Sequence, residues 1–303
     1  MITSKTFPAW FRALRPAQWL KNGIVPAALF FAWWDPTQNL APQGFFAFLK
    51  ACLATACFCM GSSAIYLMND LRDIDADRLH PVKRLRPIAA GELSRTAGLL
   101  MAIVLAISAI AFSSALPFAF TAVLGAYLAM QVSYTFFLKR ITYVDVFMIA
   151  IGFVLRAVAG ATAIQVRISP WLLLCTFLLA LFLALCKRRH EKLLFESGGV
   201  EHRVALGGYD PTLLNMQIAI IASATIVCYA IYTLAMDTVQ RFNTSNLALT
   251  IPFVVFGVFR YLHLVYQNEE GGRPEKVMLT DRILIVTVLA YLVVTGIVFL
   301  YCH

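Results

Sequence analysis

The chain alternates long apolar runs with short charged intervals, and the alternation repeats almost from end to end. Nine apolar segments of spanning length or slightly less can be marked, near 18–34, 45–68, 97–116, 117–137, 142–164, 170–186, 212–236, 248–266 and 283–301. A helix rises about 1.5 Å per residue, so segments of this length cross most or all of a hydrocarbon layer about 30 Å thick. The pattern predicts an all-α polytopic membrane protein with nine transmembrane helices. The short 170–186 segment admits a partly re-entrant reading, but the even alternation of charged loops around it argues that it crosses fully. Ahead of the first span, Phe7, Trp10, Phe11 and Leu14 recur at i, i+3, i+4 and i+7 beside Lys5, Arg12 and Arg15. That stripe predicts an amphipathic interfacial segment over residues 1–16. The remaining organisation reads as one transmembrane domain over 1–303, with no internal repeat, low-complexity tract or cleavable signal peptide.

Composition supports the same class. The 303 residues are 60% hydrophobic and 14% charged, and the mean hydropathy is +0.76. These values exceed those of an ordinary soluble domain. Charge placement then sets an expected orientation. With the amino terminus in the cytoplasm, twenty of the 25 lysines and arginines fall in inside intervals and only Arg167 and Arg241 in outside ones. Lys50, Arg156 and Arg260 lie within apolar segments. The positive-inside rule therefore predicts an odd number of spans, with His303 outside. The net charge of +9 marks one membrane face, facing anionic lipid and phosphorylated substrates, and not a nucleic-acid surface. The seven cysteines include no C-x-x-C pair and read as small apolar core residues.

The informative departure from apolar monotony is residues 69–91, where four aspartates and then a block of cations follow directly on a long apolar run. Asp70, Asp73 and Asp77 fall at i, i+3 and i+7, so a continuing helix carries them on one face while Asp75 points elsewhere. Clustered carboxylates of this kind suit a divalent cation that also holds phosphates. Magnesium takes one or two carboxylates, keeps waters and leaves positions for phosphate oxygens. Lys83, Arg84 and Arg86 are placed to face the same anion. The other loops expected on that membrane face add Tyr134, Lys139, Arg140 and Asp145, then Lys187, Arg188, Arg189, His190, Glu191 and Lys192, and finally Arg273, Lys276, Asp281 and Arg282. Within the fifth apolar segment Arg156 follows Asp145 by about three helical turns on nearly the same face, with Gly152 and Gly160 on that stripe. A membrane-embedded arginine is a site candidate by default, its plain alternative being an ion pair with Asp145.

The pattern Asn69-x-x-x-Asp73-x-x-x-Asp77, followed by Arg86-Pro87-Ile88-Ala89-Ala90-Gly91, resembles the first aspartate-rich motif of the UbiA superfamily of intramembrane transferases. The resemblance implies a nine-helix bundle with a cytoplasmic-side active site. In prenyl-transferring members a second D-x-x-x-D motif lies near the fourth and fifth helices. Here Asp145 is followed four residues later by Ile149, so that second carboxylate is missing. Further stretches resemble the superfamily's phosphoribosyl-transferring subgroup. They are Leu14-Arg15-Pro16-x-Gln18-Trp19-x-Lys21-Asn22, Tyr66-Leu67-x-Asn69-Asp70-x-Arg72-Asp73, His80-Pro81-x-Lys83-Arg84, Tyr127-Leu128-Ala129-Met130-Gln131 and Arg156-Ala157-x-Ala159-Gly160. Gly272-x-Pro274-Glu275 and Leu279-x-Asp281-Arg282 match as well.

What this resemblance implies is transfer of a 5-phosphoribosyl group from phosphoribosyl pyrophosphate to a decaprenyl-type polyprenyl phosphate. The reaction releases pyrophosphate in a bacterial inner membrane, for arabinan and cell-envelope precursors. Asn69, Asp70, Asp73 and Asp77 are the expected Mg2+ ligands and catalytic centre. Lys83, Arg84, Arg86, Tyr134, Lys139 and Arg156 are expected on the donor, with Asp145 beside them. Gln18, Lys21, Lys187, Arg188 and Arg189 are expected at the acceptor phosphate. Association into a homo-oligomer is left open. Two rival readings share these residues. One is a prenyltransferase joining a polyprenyl diphosphate to an aromatic or quinone-precursor acceptor. The other is a transporter of anionic lipid or phosphate that performs no chemistry.

Overall fold

A computed structural model describes residues 7–38, 44–196, 204–267, 272 and 274–301. Lys5, Arg203, Arg273 and the side chain of Lys276, which enter the charge asymmetry, lie outside the described residues, as do Cys302 and His303. All regular structure among the described residues is helical. Among the described residues, eight helices are long and apolar enough to cross a membrane. They are α3 (Gly44–Arg72), α5 (Arg95–Ser113), α6 (Phe118–Phe136), α7 (Val144–Ile164), α8 (Pro170–Glu196), α9 (Pro211–Leu234), α11 (Ile251–Gln267, lengthened by the 3-10 turn Asn246–Thr250) and α13 (Arg282–Tyr301). The short helices are α1 (Ala9–Ala13), α2 (Ala27–Trp33), α4 (Ile74–Leu79), α10 (Met236–Phe242) and α12 (Pro274–Thr280). The segment 170–186 is indeed a full-length helix, prolonged into its charged end.

The expected first span near 18–34 takes a different form. It is a 3-10 run, Pro16–Ile24, followed by the short α2. Pro26 lacks the N–H that would continue the i→i−4 ladder, and its ring crowds the preceding turn. Gly23 adds backbone freedom that a helix must give up. Eight spanning helices and one broken segment therefore stand where nine spans were expected.

The chain divides into two compact units. The first comprises Met1–Leu29, Phe45–Lys139 and Leu155–Gln165, and the second Phe30–Gly44, Arg140–Val154 and Val166–His303. In the first, Phe58, Phe120, Leu124 and Tyr127 pack with Val25, Ala54, Ala159 and Ala163. Small residues permit the closest approach there. A Cβ on Gly160 would come within 1.9 Å of the Val25 carbonyl oxygen, so only glycine fits. A smaller cluster of Ala13, Leu67, Ile74, Ile88 and Ala102 lies under the acidic segment. In the second unit, Val146, Ala150, Phe182, Leu214, Ile218 and Tyr261 belong to the larger core. Tyr229, Tyr232, Phe242 and Phe299 form a second one. Large apolar side chains also face outward along α5 (Leu100, Val104, Ile107) and α13 (Val286, Leu289, Val293). A bilayer, and not water, satisfies that surface.

Candidate active site

The site begins where α3 leaves its apolar run. α3 ends at Arg72, Asp73 departs from helical angles (φ −97°, ψ 14°), and α4 resumes at Ile74. Hydrogen bonding nevertheless carries across the junction. The Asp73 N–H donates to the Asn69 carbonyl at 3.0 Å, and the Asp77 N–H donates to the Asp73 carbonyl at 2.8 Å. The i, i+3, i+7 stripe therefore survives the break. Asp70 and Asp77 are buried, whereas the Asp75 side chain is 89% exposed and lies 3.9 Å from Arg78 and from Arg95.

Buried carboxylates demand cations; Arg15 and Arg86 meet Asp70 and Asp77, and Lys139 meets the half-buried Asp73. A turn over Lys83–Leu85 delivers Arg86, whose Nη1 donates to Asp70 Oδ1 at 3.1 Å and to Asp77 Oδ2 at 2.6 Å. His80 shapes the turn, because its Nδ1 accepts the N–H groups of Val82 and Lys83. Arg15 pairs with Asp70, and its guanidinium lies 5.2 Å from the centre of the Tyr66 ring. Lys139 Nζ donates to Asn69 Oδ1 at 3.0 Å and to both Asp73 oxygens at 3.1 and 2.7 Å. Burial lowers the Arg15 pKa, and the neighbouring Asp70 carboxylate opposes that shift.

Arg15 was not a site candidate from sequence spacing, since it lies 55 residues from its partner. Its backbone is left-handed (φ 54°, ψ 58°), a conformation that costs a non-glycine residue about 1–3 kcal/mol unless its surroundings hold it. Those surroundings are visible. Ser63 Oγ donates to the Leu14 carbonyl at 2.9 Å and accepts from Trp19 Nε1 at 3.0 Å, while Arg12 pairs with Glu92. The cationic turn before Pro16 is thus fixed against the acidic helix.

A second polar group in the same unit surrounds Arg156, which is 4% exposed. Its Nε donates to Asn22 Oδ1 at 2.8 Å and its Nη2 to Tyr127 Oη at 2.7 Å. Asn22 Nδ2 in turn donates to Ser62 Oγ at 3.2 Å, and Gln131 Nε2 donates to Tyr127 Oη at 3.1 Å. Arg156 is therefore joined to Asn22 and Tyr127 by these bonds. Gln18, Lys21, Lys83 and Tyr134 lie partly buried in this unit, and Arg84 is exposed.

The other sequence-derived candidates belong to the second unit. Arg188 Nε lies 2.9 Å from Asp145 Oδ2, with both side chains essentially inaccessible, and Arg188 also pairs with Glu191. Tyr209 donates its hydroxyl to Asp145 Oδ1 at 2.6 Å and accepts the Tyr143 N–H at 3.0 Å. Burial and that carboxylate push the Tyr209 phenol up. Arg189 donates to Asn215 Oδ1 at 2.7 Å and stacks on Tyr266. Lys187 is partly buried beside them in sequence. The structure thus brings Asn69, Asp70, Asp73, Asp77, Arg86 and Lys139 together in the first unit, and joins Asp145 to Arg188 within the second.

The donor set can be tested for a divalent cation. Among the described residues no three His, Cys, Asp or Glu side chains form a ready cage. The Lys139 ammonium, however, sits among three hard oxygens from Asn69 and Asp73, as a cation held there would. That chemistry fits an ion such as magnesium, which needs only one or two protein carboxylates.

Comparison with known proteins identifies the family. Residues 24–191 match the model of the UbiA prenyltransferase family. The decaprenyl-phosphate phosphoribosyltransferase of Corynebacterium glutamicum is 38% identical over 288 residues, covering 92% of this chain and 83% of the relative. The decaprenyl-phosphate phosphoribosyltransferase of Mycolicibacterium smegmatis is 34% identical, covering 94% of this chain and 90% of its own. A solved UbiA homologue from Archaeoglobus fulgidus bound to GPP and Mg2+ superposes with a TM-score of 0.68 at 18% identity, covering 97% of this chain and 98% of the other. The chain belongs to the UbiA prenyltransferase family.

Proposed function

We propose that this protein transfers the 5-phosphoribosyl group of phosphoribosyl pyrophosphate to a decaprenyl-type polyprenyl phosphate, releasing pyrophosphate. The observation that carries this reading is one carboxylate cluster, Asn69 to Asp77, faced by Arg15, Arg86 and Lys139. Near-full-length relatives bearing that activity's name support it. The missing partner of Asp145 separates this chain from the two-cluster prenyl-transfer pattern, and the Asp145 carboxylate is already taken up by Arg188 and Tyr209.

Asn69, Asp70, Asp73 and Asp77 would hold magnesium, which supplies positive charge to the diphosphate that departs. The rest follows from the chain's own groups. Breaking the bond between the anomeric carbon and the diphosphate oxygen builds negative charge on the leaving group and positive character on the ribose ring. Lys139, Arg86 and Arg15 are preplaced cations whose partners can change from carboxylate to phosphate. The acceptor phosphate is already ionised at neutral pH, so its oxygen attacks the anomeric carbon without a strong base. Catalysis is then mainly positioning and charge stabilisation. Lys83, Arg84, Tyr134 and Arg156 are proposed to complete the donor site, and Gln18, Lys21 and Lys187 to meet the acceptor phosphate. The cation asymmetry supports a site at the cytoplasmic face of a bacterial inner membrane, with the product destined for envelope precursors.

The test is direct. Detergent-purified protein, ribose-labelled phosphoribosyl pyrophosphate and decaprenyl phosphate are expected to yield label in the lipid phase with magnesium present, and none after chelation. Folded protein that labels no lipid, yet prenylates an aromatic acceptor from a polyprenyl diphosphate, would replace this reading with the prenyltransferase one.

A further inference from the structure

Two of the cysteines that the sequence offers only as scattered apolar residues meet in space. Cys175, five residues into α8, and Cys228, six residues before the end of α9, lie 53 residues apart, with their sulfurs 3.4 Å from one another. The Cys175 thiol donates to Cys228 Sγ. Both are free cysteines. No other thiol–thiol hydrogen bond occurs among the described residues. Cys59 instead accepts from Asn22 Nδ2 at 3.3 Å, and Cys57 and Cys186 are buried. The pair sits beside the aromatic core of Tyr229, Tyr232 and Phe299, with Trp171 and Trp34 packed against the same cluster. It is far along α8 from the basic end Lys187–Lys192, and far along α9 from Asn215.

We infer that Cys175 and Cys228 are an oxidation site, closing to a reversible interhelical disulfide when a membrane-soluble organic hydroperoxide reaches them. A disulfide needs its sulfurs about 2.05 Å apart, so the thiols must approach by little more than an ångström, which side-chain rotation can supply. Cys175 is the more accessible of the two, so it meets the oxidant first. Its sulfur takes the terminal oxygen of the hydroperoxide to become a sulfenic acid, and the alcohol leaves. The Cys228 thiol then attacks that sulfur, the S–S bond forms and water departs. In sum, one hydroperoxide and two thiols give one disulfide, one alcohol and one water. The two-electron oxidation of the sulfurs matches the two-electron reduction of the peroxide bond. The nearness of the second thiol favours the disulfide over further oxidation to a sulfinate. The link ties α8 to α9, the helices that carry Arg189 and Asn215.

The experiment uses the full chain in membranes, reduced and then exposed to cumene hydroperoxide, quenched with an alkylating reagent and mapped by mass spectrometry. The expected product is a cross-linked peptide pair containing Cys175 and Cys228, lighter than the reduced pair by two hydrogens and separated again by dithiothreitol. Alkylation at these two positions is lost, while alkylation at Cys52 persists. In C175S the cross-link disappears and Cys228 becomes fully alkylatable, and C228A gives the converse with Cys175 held as a sulfenic or sulfinic acid. Recovery of both thiols fully alkylated after peroxide treatment would overturn the inference. So would a wild-type product with Cys175 as sulfinate and Cys228 unmodified, or cross-links that pair either thiol with other cysteines.

Discussion

The acidic cluster of the first unit and the Asp145–Arg188 pair of the second use the same chemical groups to opposite ends. At Asp73 and Lys139 the side chains keep 30% and 15% of their exposure, and Arg86 keeps 24%. At Asp145 and Arg188 the figures are 0% and 1%. A partly open ion pair can exchange partners at modest expense, whereas a fully enclosed one holds its charges only while both remain. The first arrangement suits a site that receives a phosphorylated substrate, and the second suits a brace between α7 and α8. Charge alone therefore does not mark a site: Asp70 and Asp77 of the first cluster are themselves buried, and access to it comes through Asp73, Lys139 and Arg86.

The largest expected effect is at the open cluster. Asp73→Ala removes the two carboxylate oxygens that accept from Lys139, and phosphoribosyl transfer should fall by about 10²–10³-fold or more, the usual loss when one group that stabilises developing charge is removed. Initial rates of lipid labelling check it. At the closed pair the loss should appear as stability. Arg188→Ala leaves the Asp145 carboxylate buried without its cation, which destabilises by about 3–5 kcal/mol. A lowered unfolding midpoint in detergent would register this, and the double variant Asp145→Leu with Arg188→Met should recover much of it. Recovery of transfer activity by that double variant would sharpen the contrast further.

Lys139→Met is the intermediate case. Hydrogen bonds to charged groups contribute about 1.5–3 kcal/mol, so KM for phosphoribosyl pyrophosphate should rise by about tenfold or more with the fold intact. Isothermal titration with the donor would measure the same change. The smallest effect concerns Asp281, whose pKa is held below the ordinary carboxylate value chiefly by its hydrogen bonds from Arg260 at 2.7 and 3.2 Å. A depressed folded pKa stabilises above the unfolded value near 3.9, and that stabilisation is lost as the pH falls through the lower, folded value. Asp281→Asn should remove about 0.5–1 kcal/mol at neutral pH and flatten the acid limb of the unfolding profile.

How much of this was readable beforehand depends on distance along the chain. Eight of the nine expected spans followed from hydropathy, because each helix must satisfy its own backbone in lipid. The acidic stripe was legible because its members are within eight residues and share one helical period, and it kept that register even across the break at Asp73. The interruption near Pro26 was also written in the sequence, although hydropathy alone treats proline as mild. Partners were not legible. Arg15 reaches Asp70 from 55 residues away, Asp145 finds Arg188 and not Arg156, and Cys175 meets Cys228 only because α8 and α9 pack together. Helical periodicity tells which face a residue occupies and nothing about what arrives opposite it.

The most direct test pairs two readouts on one conservative variant, Asp73→Asn, which keeps shape and removes charge. Phosphoribosyl transfer to decaprenyl phosphate and the thermal unfolding midpoint are measured side by side with the unaltered protein. The account predicts transfer lost by about 10²-fold or more with the midpoint essentially unchanged. Transfer that persists in a variant of unchanged midpoint would contradict the assignment of the open cluster as the site of chemistry.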